Sequence, residues 1–347
     1  MTSPSTKPRL PERCVIVLGS GGTISGRAAA SGDHVGYVAG QVSVEDLLAE
    51  VAPPPGICLR AEQVAQIDSK DMSFDVWRAL ALRCAHWLAK DDVVGVVITH
   101  GTDTLEETAF FLQLILAPAK SVVLTCAMRP ATALAPDGPQ NVQDAIAVAA
   151  SGATLVKPGE RGASGVVVLC AGTVHSAFDV QKVHTYRLDA FDSGDAGPLA
   201  YVEQGAVRQL RQWPQGTARI APTALREETQ SRPWPRVEIV MSHAGAGGGI
   251  IDLLLQQRAA GAPDALQGLV LAATGNGTLH RSLEEAALRA QAAGVRVLRA
   301  TRCAQGQIMG KAGALLPNAG ALTPVKARIS LLLDLLVEEG HSASRLI

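Results

Sequence analysis

The sequence predicts two α/β domains, a larger N-terminal one with a mostly parallel sheet flanked by helices and a smaller C-terminal one. The chain has 347 residues, more than a single compact core usually holds. Short apolar runs alternate with amphipathic segments along its length, which is typical of parallel sheets covered by helices. The stretch 208–235 interrupts this alternation with prolines, mixed charge and no periodicity. We therefore expect an N-terminal domain over 1–207, a linker over 208–235 and a C-terminal domain over 236–347.

Individual elements follow from local patterns. Ser73–Ala89 has an N-cap serine and apolar residues spaced by three and four, which predicts a helix. Thr104–Leu116 opens with Thr-Leu-Glu-Glu, a capping box in which Glu107 would bond back to the amide of Thr104. Two more helices are expected over Ser282–Ala293 and Lys326–Val337, and the glycine cluster 245–249 is expected to be a flexible loop. The predicted strands are Cys14–Gly19, Val94–Thr99, Ser121–Cys126, Gly165–Cys170, Val237–Met241, Gly268–Ala272 and Val295–Arg299.

Composition and charge indicate a soluble enzyme with a small-molecule partner. Apolar residues make up 47% of the chain and charged residues 18%, and the formal net charge is -1, so nothing points to nucleic acid or an anionic membrane. The polar N-terminus lacks the apolar stretch of a secretory signal, and no run reaches the ~20 apolar residues of a membrane span. The six cysteines are scattered without metal-ligand spacing, so we expect buried reduced thiols, no metal and a cytoplasmic location.

Two glycine turns at predicted strand ends carry the candidate chemistry. The first, Val17–Ile24, ends a strand with glycines and brings Thr23 just past it; the second, Val97–Thr104, brings Thr102 and Asp103 to the start of a helix. Ligands of parallel sheets bind at the carboxyl ends of the strands, and helix N-termini favour a carboxylate or a developing oxyanion. These three side chains are therefore expected to share one site.

A threonine hydroxyl is a poor nucleophile until a base removes its proton. Lys182, held by Asp103, is a candidate proton carrier for Thr102, and Tyr37, in a glycine-flanked stretch, is one for Thr23. Taken singly, each glycine turn is more often a plain strand-to-helix connection, and a lone lysine is more often a solvated surface charge. The sequence leaves open whether His100 packs in its turn or acts chemically.

Taken together, the motifs resemble the bacterial-type L-asparaginase (asparaginase/glutaminase) family over nearly the whole chain, from Val15 to about Leu336. Five segments carry the resemblance in order along the sequence. They are Gly21-Gly-Thr-Ile24, Thr99-His-Gly-Thr-Asp-Thr-Leu-Glu-Glu-Thr108, Ala127-Met-Arg-Pro130 with Asp137-Gly-Pro139, Asp179-Val-Gln-Lys182 with Gly197-Pro-Leu199, and Gly275-Asn-Gly277.

The resemblance implies hydrolysis of L-asparagine by double displacement, without metal or cofactor, in a homodimer or homotetramer. Thr23 would be the nucleophile on a mobile lid over Gly26–Gly36, helped by Tyr37, and minor glutaminase activity is possible in this family. Thr102, Asp103 and Lys182 would form a second triad. Ser69 would bind the substrate α-carboxylate and Asp103 the α-ammonium. Backbone amides of the two turns, at Gly22 and Gly101, would stabilise the oxyanion.

Three positions depart from the family pattern. Lys70 stands where glutamine often follows the carboxylate-binding serine, and Thr278 stands where asparagine often follows Gly-Asn-Gly. The segment Arg302–Gly310 lacks the acid that often reaches the neighbouring subunit's substrate. The balance between asparagine and glutamine therefore stays open at the level of sequence.

Two alternatives to an asparaginase remain. The same domain type serves as the ammonia-generating subunit of a tRNA-dependent amidotransferase, although such chains carry an added N-terminal domain and only about a dozen residues precede the first strand here. The second alternative is a non-catalytic amino-acid sensor, or a nucleotide-binding protein using the turn Gly19–Gly22. The intact set of candidate catalytic residues favours the enzyme.

Overall fold

The computed structural model describes residues 13–28, 37–38, 40–49, 51–154, 162–225, 233–310 and 313–343. The helices are α1 Val44–Leu48, α2 Phe74–Leu88, α3 Leu105–Leu116, α4 Gly138–Thr154, α5 Gly249–Ala259, α6 Arg281–Ala292 and α7 Pro324–Ala343. The strands are β1 Arg13–Gly21, β2 Arg27–Ala28, β3 Tyr37–Val38, β4 Ile57–Ile67, β5 Val93–Thr99, β6 Ser121–Thr125, β7 Val166–Cys170, β8 Thr173–Ser176, β9 Gln181–Lys182, β10 Phe191–Asp192, β11 Ala200–Glu203, β12 Ala206–Gln209, β13 Arg236–Met241, β14 Leu266–Ala273 and β15 Arg296–Thr301.

A large, mostly parallel sheet dominates the N-terminal part of the chain. Its strand order is β12-β11-β8-β7-β6-β5-β1-β4. The strands from β4 to β7 pair in parallel, and β8, β11 and β12 extend the sheet in antiparallel pairs. Strands β1, β5, β6 and β7 are almost wholly buried, because helices cover both faces of this sheet and demand continuous apolar runs.

Two apolar layers sandwich the large sheet. On one face, α2 and α3 contribute Trp77, Leu80 and Phe111 to a core that also contains Leu332 of α7. On the other face, α4 packs Ile146 and its neighbours against β1, β5 and β6. The sheet is therefore a rigid platform whose carboxyl edge can hold functional side chains.

A second, smaller sheet lies in the C-terminal part, with β13, β14 and β15 all parallel. Helices α5 and α6 cover one face around Leu254, Leu271 and Leu283. Helix α7 packs on the three strands and also against α3, so its apolar residues belong to the core of the large sheet. The predicted two-domain α/β class is confirmed, whereas the domain boundaries at 207/208 and 235/236 stay a prediction.

The glycine cluster 245–249 forms a loop up to Gly248, as expected, and helix α5 begins at its last residue, Gly249. Two local predictions are wrong. The side chain of Thr104 caps no amide of α3 although Thr104 occupies the N-cap position. The expectation of reduced thiols fails for Cys14 and Cys58, which form a disulfide. They are register partners on the neighbouring parallel strands β1 and β4, a proximity that the sequence spacing does not reveal. Cys84, Cys126 and Cys170 are free and buried, and Cys303 is free and exposed.

Candidate active site

Three adjacent strands of the large sheet end at the same edge and lead into predicted site residues. Strand β1 lies between β4 and β5. It leads to Thr23, which opens the 3-10 turn Thr23–Ser25, while β4 leads to Ser69 in the 3-10 turn Ser69–Asp71. Strand β5 leads to Thr102 and Asp103 immediately before α3. Since parallel strands bring their carboxyl ends together, the sheet gathers these four side chains.

The two glycine turns pack backbone against backbone. Gly22 adopts a φ of 87°, a left-handed conformation that favours glycine. A Cβ on Gly22 would overlap the amide nitrogen and Cα of Gly101, and a Cβ on Gly101 would lie 2.7 Å from the Cβ of Ser69. Glycine at both positions therefore allows the turns bearing Thr23, Thr102 and Ser69 to approach each other at van der Waals distance.

A lysine from a distant part of the chain completes a triangle with Thr102 and Asp103. The Nζ of Lys182, on β9, donates to Thr102 Oγ1 at 2.8 Å and to Asp103 Oδ1 at 2.6 Å. The Thr102 hydroxyl also lies 3.4 Å from Asp103 Oδ1. Thr102 is 7% exposed, whereas the side chains of Lys182 and Asp103 are 21% and 53% exposed. The buried hydroxyl of Thr102 thus contacts the Lys182–Asp103 ion pair, whose Asp103 side remains accessible to a ligand.

Ser69 is held beside this triangle by contacts in both directions. Its hydroxyl oxygen accepts the backbone N–H of Asp103 at 3.1 Å, and its carbonyl accepts the hydroxyl of Thr104 at 2.7 Å. Thr104, which makes no cap bond to α3, thus directs its hydroxyl hydrogen to Ser69. Ser69 is 3% exposed. The structure therefore brings Ser69, Thr102, Asp103 and Lys182 together, with Thr23 on the adjoining turn.

The prediction that the Gly22 amide stabilises an oxyanion needs correction. The N–H of Gly22 donates to the carbonyl of Ile67 at 2.9 Å, so this donor is used inside the fold and is not available to a ligand. The hydrogen bond instead joins the end of β1 to the end of β4. An oxyanion contact from the two turns would have to come from other amides, such as that of Gly101.

Tyr37 and the predicted lid are described only in part. The backbone of Tyr37 pairs with Ala28 in the antiparallel ribbon of β2 and β3. Its side chain lies outside the described part of the structure, as do residues 29–36 of the expected lid over Gly26–Gly36. The role of Tyr37 and the closure of the lid therefore remain predictions.

His100 packs in its turn within a chain of three hydrogen bonds. Its Nδ1 lies 2.7 Å from the carbonyl of Gly101, and its Nε2 lies 2.9 Å from the hydroxyl of Thr108. A carbonyl can only accept, so we assign the hydrogen to Nδ1 and the acceptor role to Nε2. The Thr108 oxygen in turn accepts the indole N–H of Trp77 at 2.8 Å. Burial lowers the pKa of His100 to about 4, which keeps the ring neutral and suited to support the turn before Thr102.

The three departures from the family pattern have local partners. Lys70 donates to Asp68 at 2.7 Å and lies 3.2 Å from Asp71, and its side chain is 61% exposed. The hydroxyl of Thr278 donates to the carbonyl of Thr274. In the segment 302–310, the amide of Gly306 donates to Asp195 at 3.0 Å. The positive charge of Lys70 is therefore balanced by the carboxylates of Asp68 and Asp71.

Two residues next to Lys182 were missed at the level of sequence. Glu106 Oε2 accepts the backbone N–H of Lys182 at 2.6 Å, and Lys326 of α7 donates to the carbonyls of Phe178 and Val180. Glu106 stands in Thr104-Leu-Glu-Glu107, a motif that predicted only a capping box at the start of a helix. Lys326 gives no signal in the sequence, because a lysine in an amphipathic helix normally faces solvent.

The described residues offer no metal site, since none of their His, Cys, Asp and Glu side chains form a group of three or more suited to a metal ion. Across the ranges that the structure covers, no helix has the length and apolar character needed to cross a membrane.

Comparisons with known proteins identify both halves of the chain. Residues 14–215 match the family model described as "Asparaginase, N-terminal", and residues 236–345 match the model described as "Glutaminase/Asparaginase C-terminal domain". The two matches together cover most of the chain, and the first contains all the predicted site residues.

Individual proteins are similar over most of their length. L-asparaginase 2 of Escherichia coli (strain K12) is 34% identical over 337 residues, which covers 92% of this chain and 88% of that protein. Glutaminase-asparaginase of Pseudomonas fluorescens biotype A is 33% identical over 297 residues, covering 85% of this chain and 76% of that protein. The crystal structure of a probable cytoplasmic L-asparaginase from Campylobacter jejuni superimposes with a TM-score of 0.80 at 32% identity, over 93% of this chain and 95% of that one. The expected resemblance is confirmed: this chain belongs to the asparaginase/glutaminase family.

Proposed function

We propose that this chain hydrolyses the side-chain amide of L-asparagine to L-aspartate and ammonia, with Thr23 as the nucleophile and a β-aspartyl ester as intermediate. The observation that carries the proposal is the contact of Lys182 Nζ with both Thr102 Oγ1 and Asp103 Oδ1, at 2.8 and 2.6 Å. That triangle lies on the glycine turn that packs against the turn of Thr23. A lysine paired with a buried hydroxyl and a carboxylate can move protons at that place.

In the first half of the reaction, Thr23 Oγ1 attacks the amide carbon of the substrate and gives up its proton. Tyr37 is the proposed relay for this proton: its oxygen takes the proton of Thr23 while its own phenolic proton passes to the leaving amide nitrogen. The C–N bond then breaks, ammonia leaves with an added proton, and Thr23 carries the acyl group. In the second half, Thr102 and Lys182 assist a water molecule in attacking the ester carbonyl, which releases aspartate and restores the Thr23 hydroxyl. This is nucleophilic catalysis in two steps, each easier than direct attack by water.

The charged ends of the amino acid have matching groups in this site. The side chain of Asp103 is 53% exposed, so its second carboxylate oxygen can accept the substrate α-ammonium. Ser69, whose hydroxyl lies next to the Asp103 amide, is the proposed partner of the α-carboxylate. Backbone N–H groups beside Gly101, at the N-terminal end of α3, are the proposed oxyanion donors, a type of contact worth about 3 kcal/mol in the transition state.

We propose asparagine as the main substrate and glutamine as a minor one. The relative from Pseudomonas fluorescens is named glutaminase-asparaginase and that from Escherichia coli L-asparaginase, so the family accepts both amides. The longer glutamine side chain would have to fit between Thr23 and the same α-amino and α-carboxylate contacts.

The proposed assembly is a homodimer or homotetramer. Large apolar side chains on the second sheet and its helix α5 support it, since Met241, Ile250 and Leu253 are 54%, 50% and 51% exposed. Ile250 and Leu253 are three residues apart and therefore share one face of α5. Apolar groups on one surface are typical of protein contacts, and light scattering of the purified protein measures the assembly directly.

The proposed location is the cytoplasm, as for the relative described as a probable cytoplasmic L-asparaginase. The disulfide between Cys14 and Cys58 argues in the opposite direction, because such bonds persist mainly in oxidising compartments. The cysteines therefore do not support a cytoplasmic location. Rapid alkylation of the protein in intact cells, followed by mass measurement, tests the location: two reduced thiols at these positions support the cytoplasm, and an intact bond contradicts it.

Ammonia release from L-asparagine and L-glutamine, measured in parallel on the purified chain, tests the proposed activity. We expect fast release from asparagine, slower release from glutamine and none from the Thr23→Ala variant. Binding of asparagine without turnover would contradict the proposal and favour an amino-acid sensor. Activity that depends on a co-purifying synthetase-like partner or on tRNA would favour the amidotransferase subunit.

A further inference from the structure

Helix α7 of the C-terminal part carries Lys326, whose buried ammonium group contacts the N-terminal part. The side chain of Lys326 is one of the largest that are fully buried, with an exposed fraction of 1%. Burying an ammonium group is costly unless polar groups replace its water. In Lys326 the replacements are the backbone carbonyls of Phe178, at 2.9 Å, and Val180. Because its burial is costly, we expect Lys326 to hold the backbone that it contacts in one position.

The segment held by Lys326 is the one that carries Lys182. The amides of Asp179 and Val180 both donate to the carbonyl of Ser176, so the chain makes a tight turn before β9. Strand β9 contains only Gln181 and Lys182 and pairs only with the two residues of β10. A ribbon of this length is weak by itself. The position of Lys182 must therefore depend on contacts from outside the ribbon.

Glu106 supplies a second contact from the opposite direction. Its Oε2 accepts the backbone N–H of Lys182 at 2.6 Å, while the Val180 carbonyl two residues earlier points to Lys326. Burial raises the pKa of Glu106, and the Lys182 N–H and the positive charges of Lys326 and Lys182 lower it. Burial has the opposite effect on the amine of Lys326 and lowers its pKa to about 8, and the charges of Glu106 and Asp179 oppose that shift. Lys326 and the partly buried Glu106 therefore stabilise each other's charged form across the backbone that lies between them.

We infer that Lys326 and Glu106 are positioning residues for Lys182, which hold the backbone of Val180–Lys182 from two sides so that the Lys182 ammonium reaches Thr102 and Asp103. The inference rests on the proposed function, since Lys182 matters there as a proton carrier. It also gives α7 a role beyond its apolar packing: the catalytic arrangement in the N-terminal part depends on a side chain from the C-terminal part.

The main test is the variant Lys326→Met, which keeps the unbranched chain and removes the charge and the donors. We expect kcat for L-asparagine to fall by about 10- to 100-fold, the scale produced when a catalytic group is displaced by about 1 Å. KM should change less than about threefold, because the hydrogen bond from the Asp103 N–H to Ser69 Oγ does not involve Lys182. A crystal structure of the variant should show the Lys182 Nζ displaced from Thr102 Oγ1, and this readout does not depend on activity.

The matched control is Arg219→Met. Arg219 donates to Ser330 at 2.7 Å and to Asp334 at 3.2 Å on the same helix, and none of these groups touches the Lys182 segment. This variant should lower the midpoint of thermal unfolding and leave kcat within about twofold of the unaltered protein. Comparison of the two variants separates a loss of helix anchoring from a loss of Lys182 positioning.

Glu106→Gln provides a second variant that keeps an acceptor oxygen for the Lys182 N–H and loses only the charge. We expect a smaller fall in kcat than in Lys326→Met. In the double variant, neither charge is left without its partner. Its kcat should therefore be higher than the value expected from multiplying the fold losses of the two single variants. Non-additivity of this sign is the mark of a coupled pair, and independent effects would contradict the proposed pairing.

The outcomes for the inference and for the proposed function are distinguishable. Unchanged kcat and an unmoved Lys182 in Lys326→Met would overturn the inference while the asparaginase activity stands. Equal losses of kcat in Lys326→Met and Arg219→Met would also overturn it, because the effect would then be one of stability alone. An unaltered protein without amidase activity would overturn the proposed function, whereas displacement of Lys182 in the variant crystal structure would still support the positioning role.

Discussion

Gly22 and Gly101 touch through their backbones, and this contact joins the turn of Thr23 to the turn of Thr102 and Asp103. A Cβ on Gly22 would overlap the amide of Gly101, and one on Gly101 would meet the side chain of Ser69. Neither glycine can be replaced by a larger residue without separating the turns. The proposed chemistry therefore requires that Gly22 and Gly101 have no side chain.

The first prediction concerns this contact. Gly101→Ala should lower kcat/KM for L-asparagine by at least about 100-fold, because a displacement of about 1 Å at a catalytic centre has effects of that size. The control is Gly247→Ala, where a Cβ meets nothing within 4 Å and activity should be unchanged. Full activity in Gly101→Ala would contradict this prediction, because Gly101 could then move away from Ser69 and Gly22 without consequence.

The second prediction concerns Thr102. Thr102→Val keeps the shape of the side chain but removes the oxygen that lies 2.8 Å from Lys182 Nζ. We expect kcat to fall by ~10³-fold or more, the scale seen when part of an activated catalytic unit is lost. Thr102→Ser, which restores a hydroxyl, should recover a measurable part of the rate. Steady-state assays of ammonia release measure both, and steady release by Thr102→Val would remove Thr102 from the mechanism.

The third prediction concerns acid stability. Burial lowers the pKa of His100 and of His175, each from its ordinary value of 6.5 to about 4. Between these pH values the unfolded chain binds more protons than the folded chain, so stability is present above pH 6.5 and is lost as the pH falls toward 4. Each ring accounts for about 3 kcal/mol of that loss.

His175→Asn tests the third prediction without touching the candidate site. The Nδ1 of His175 lies 2.7 Å from the hydroxyl of Ser193, and an asparagine amide can offer that hydroxyl a partner without titrating. The midpoint of thermal unfolding, measured from pH 7 to 4, should therefore fall less steeply in the variant. If the midpoint of thermal unfolding falls equally steeply with pH in the unaltered protein and in His175→Asn, then His175 does not contribute to the loss of stability in acid.

The fourth prediction concerns the Cys14–Cys58 disulfide, which closes a loop with a sequence separation of 44 residues. The chain-entropy model assigns such a loop about 4 kcal/mol of stabilisation. Cys58→Ser should therefore lower the midpoint of thermal unfolding, and a reducing agent should lower it in the unaltered protein but not in the variant. Cys303→Ser, which alters an exposed free thiol, should behave like the unaltered protein in both conditions.

The parts of the fold and site that the sequence predicted are those encoded by local patterns. Apolar runs of strand length identified β1, β5, β6 and β7, because a strand buried on both faces leaves a continuous signal. Strand β4 was missed, since it lies at the edge of the sheet and has only one strongly buried residue among its eleven. Thr23, Thr102 and Asp103 could be predicted as candidates because glycine turns at strand ends are recognisable without knowledge of the tertiary structure.

The residues that were missed owe their importance to contacts between distant segments. Lys326 is buried only because α7 packs against the N-terminal part, and Glu106 meets Lys182 across 76 positions of sequence. Likewise, Cys14 and Cys58 become neighbours only when β1 and β4 pair. Lys182 was proposed from its charge and assigned by resemblance, since no local pattern distinguishes it from a solvated lysine. Pairing across the sheet and between the two parts of the chain is information that spacing alone does not contain.

The most direct test of the account is to trap the acyl-enzyme on Thr23. The purified protein is mixed with L-asparagine, quenched in acid within milliseconds, and digested for peptide mass spectrometry. Our account predicts that the peptide containing Thr23 gains the mass of one aspartyl residue, and that the adduct accumulates further in Thr102→Val if the second half-reaction is the slower one there. An adduct on another residue, or rapid ammonia release with no adduct in either protein, would contradict Thr23 as the nucleophile.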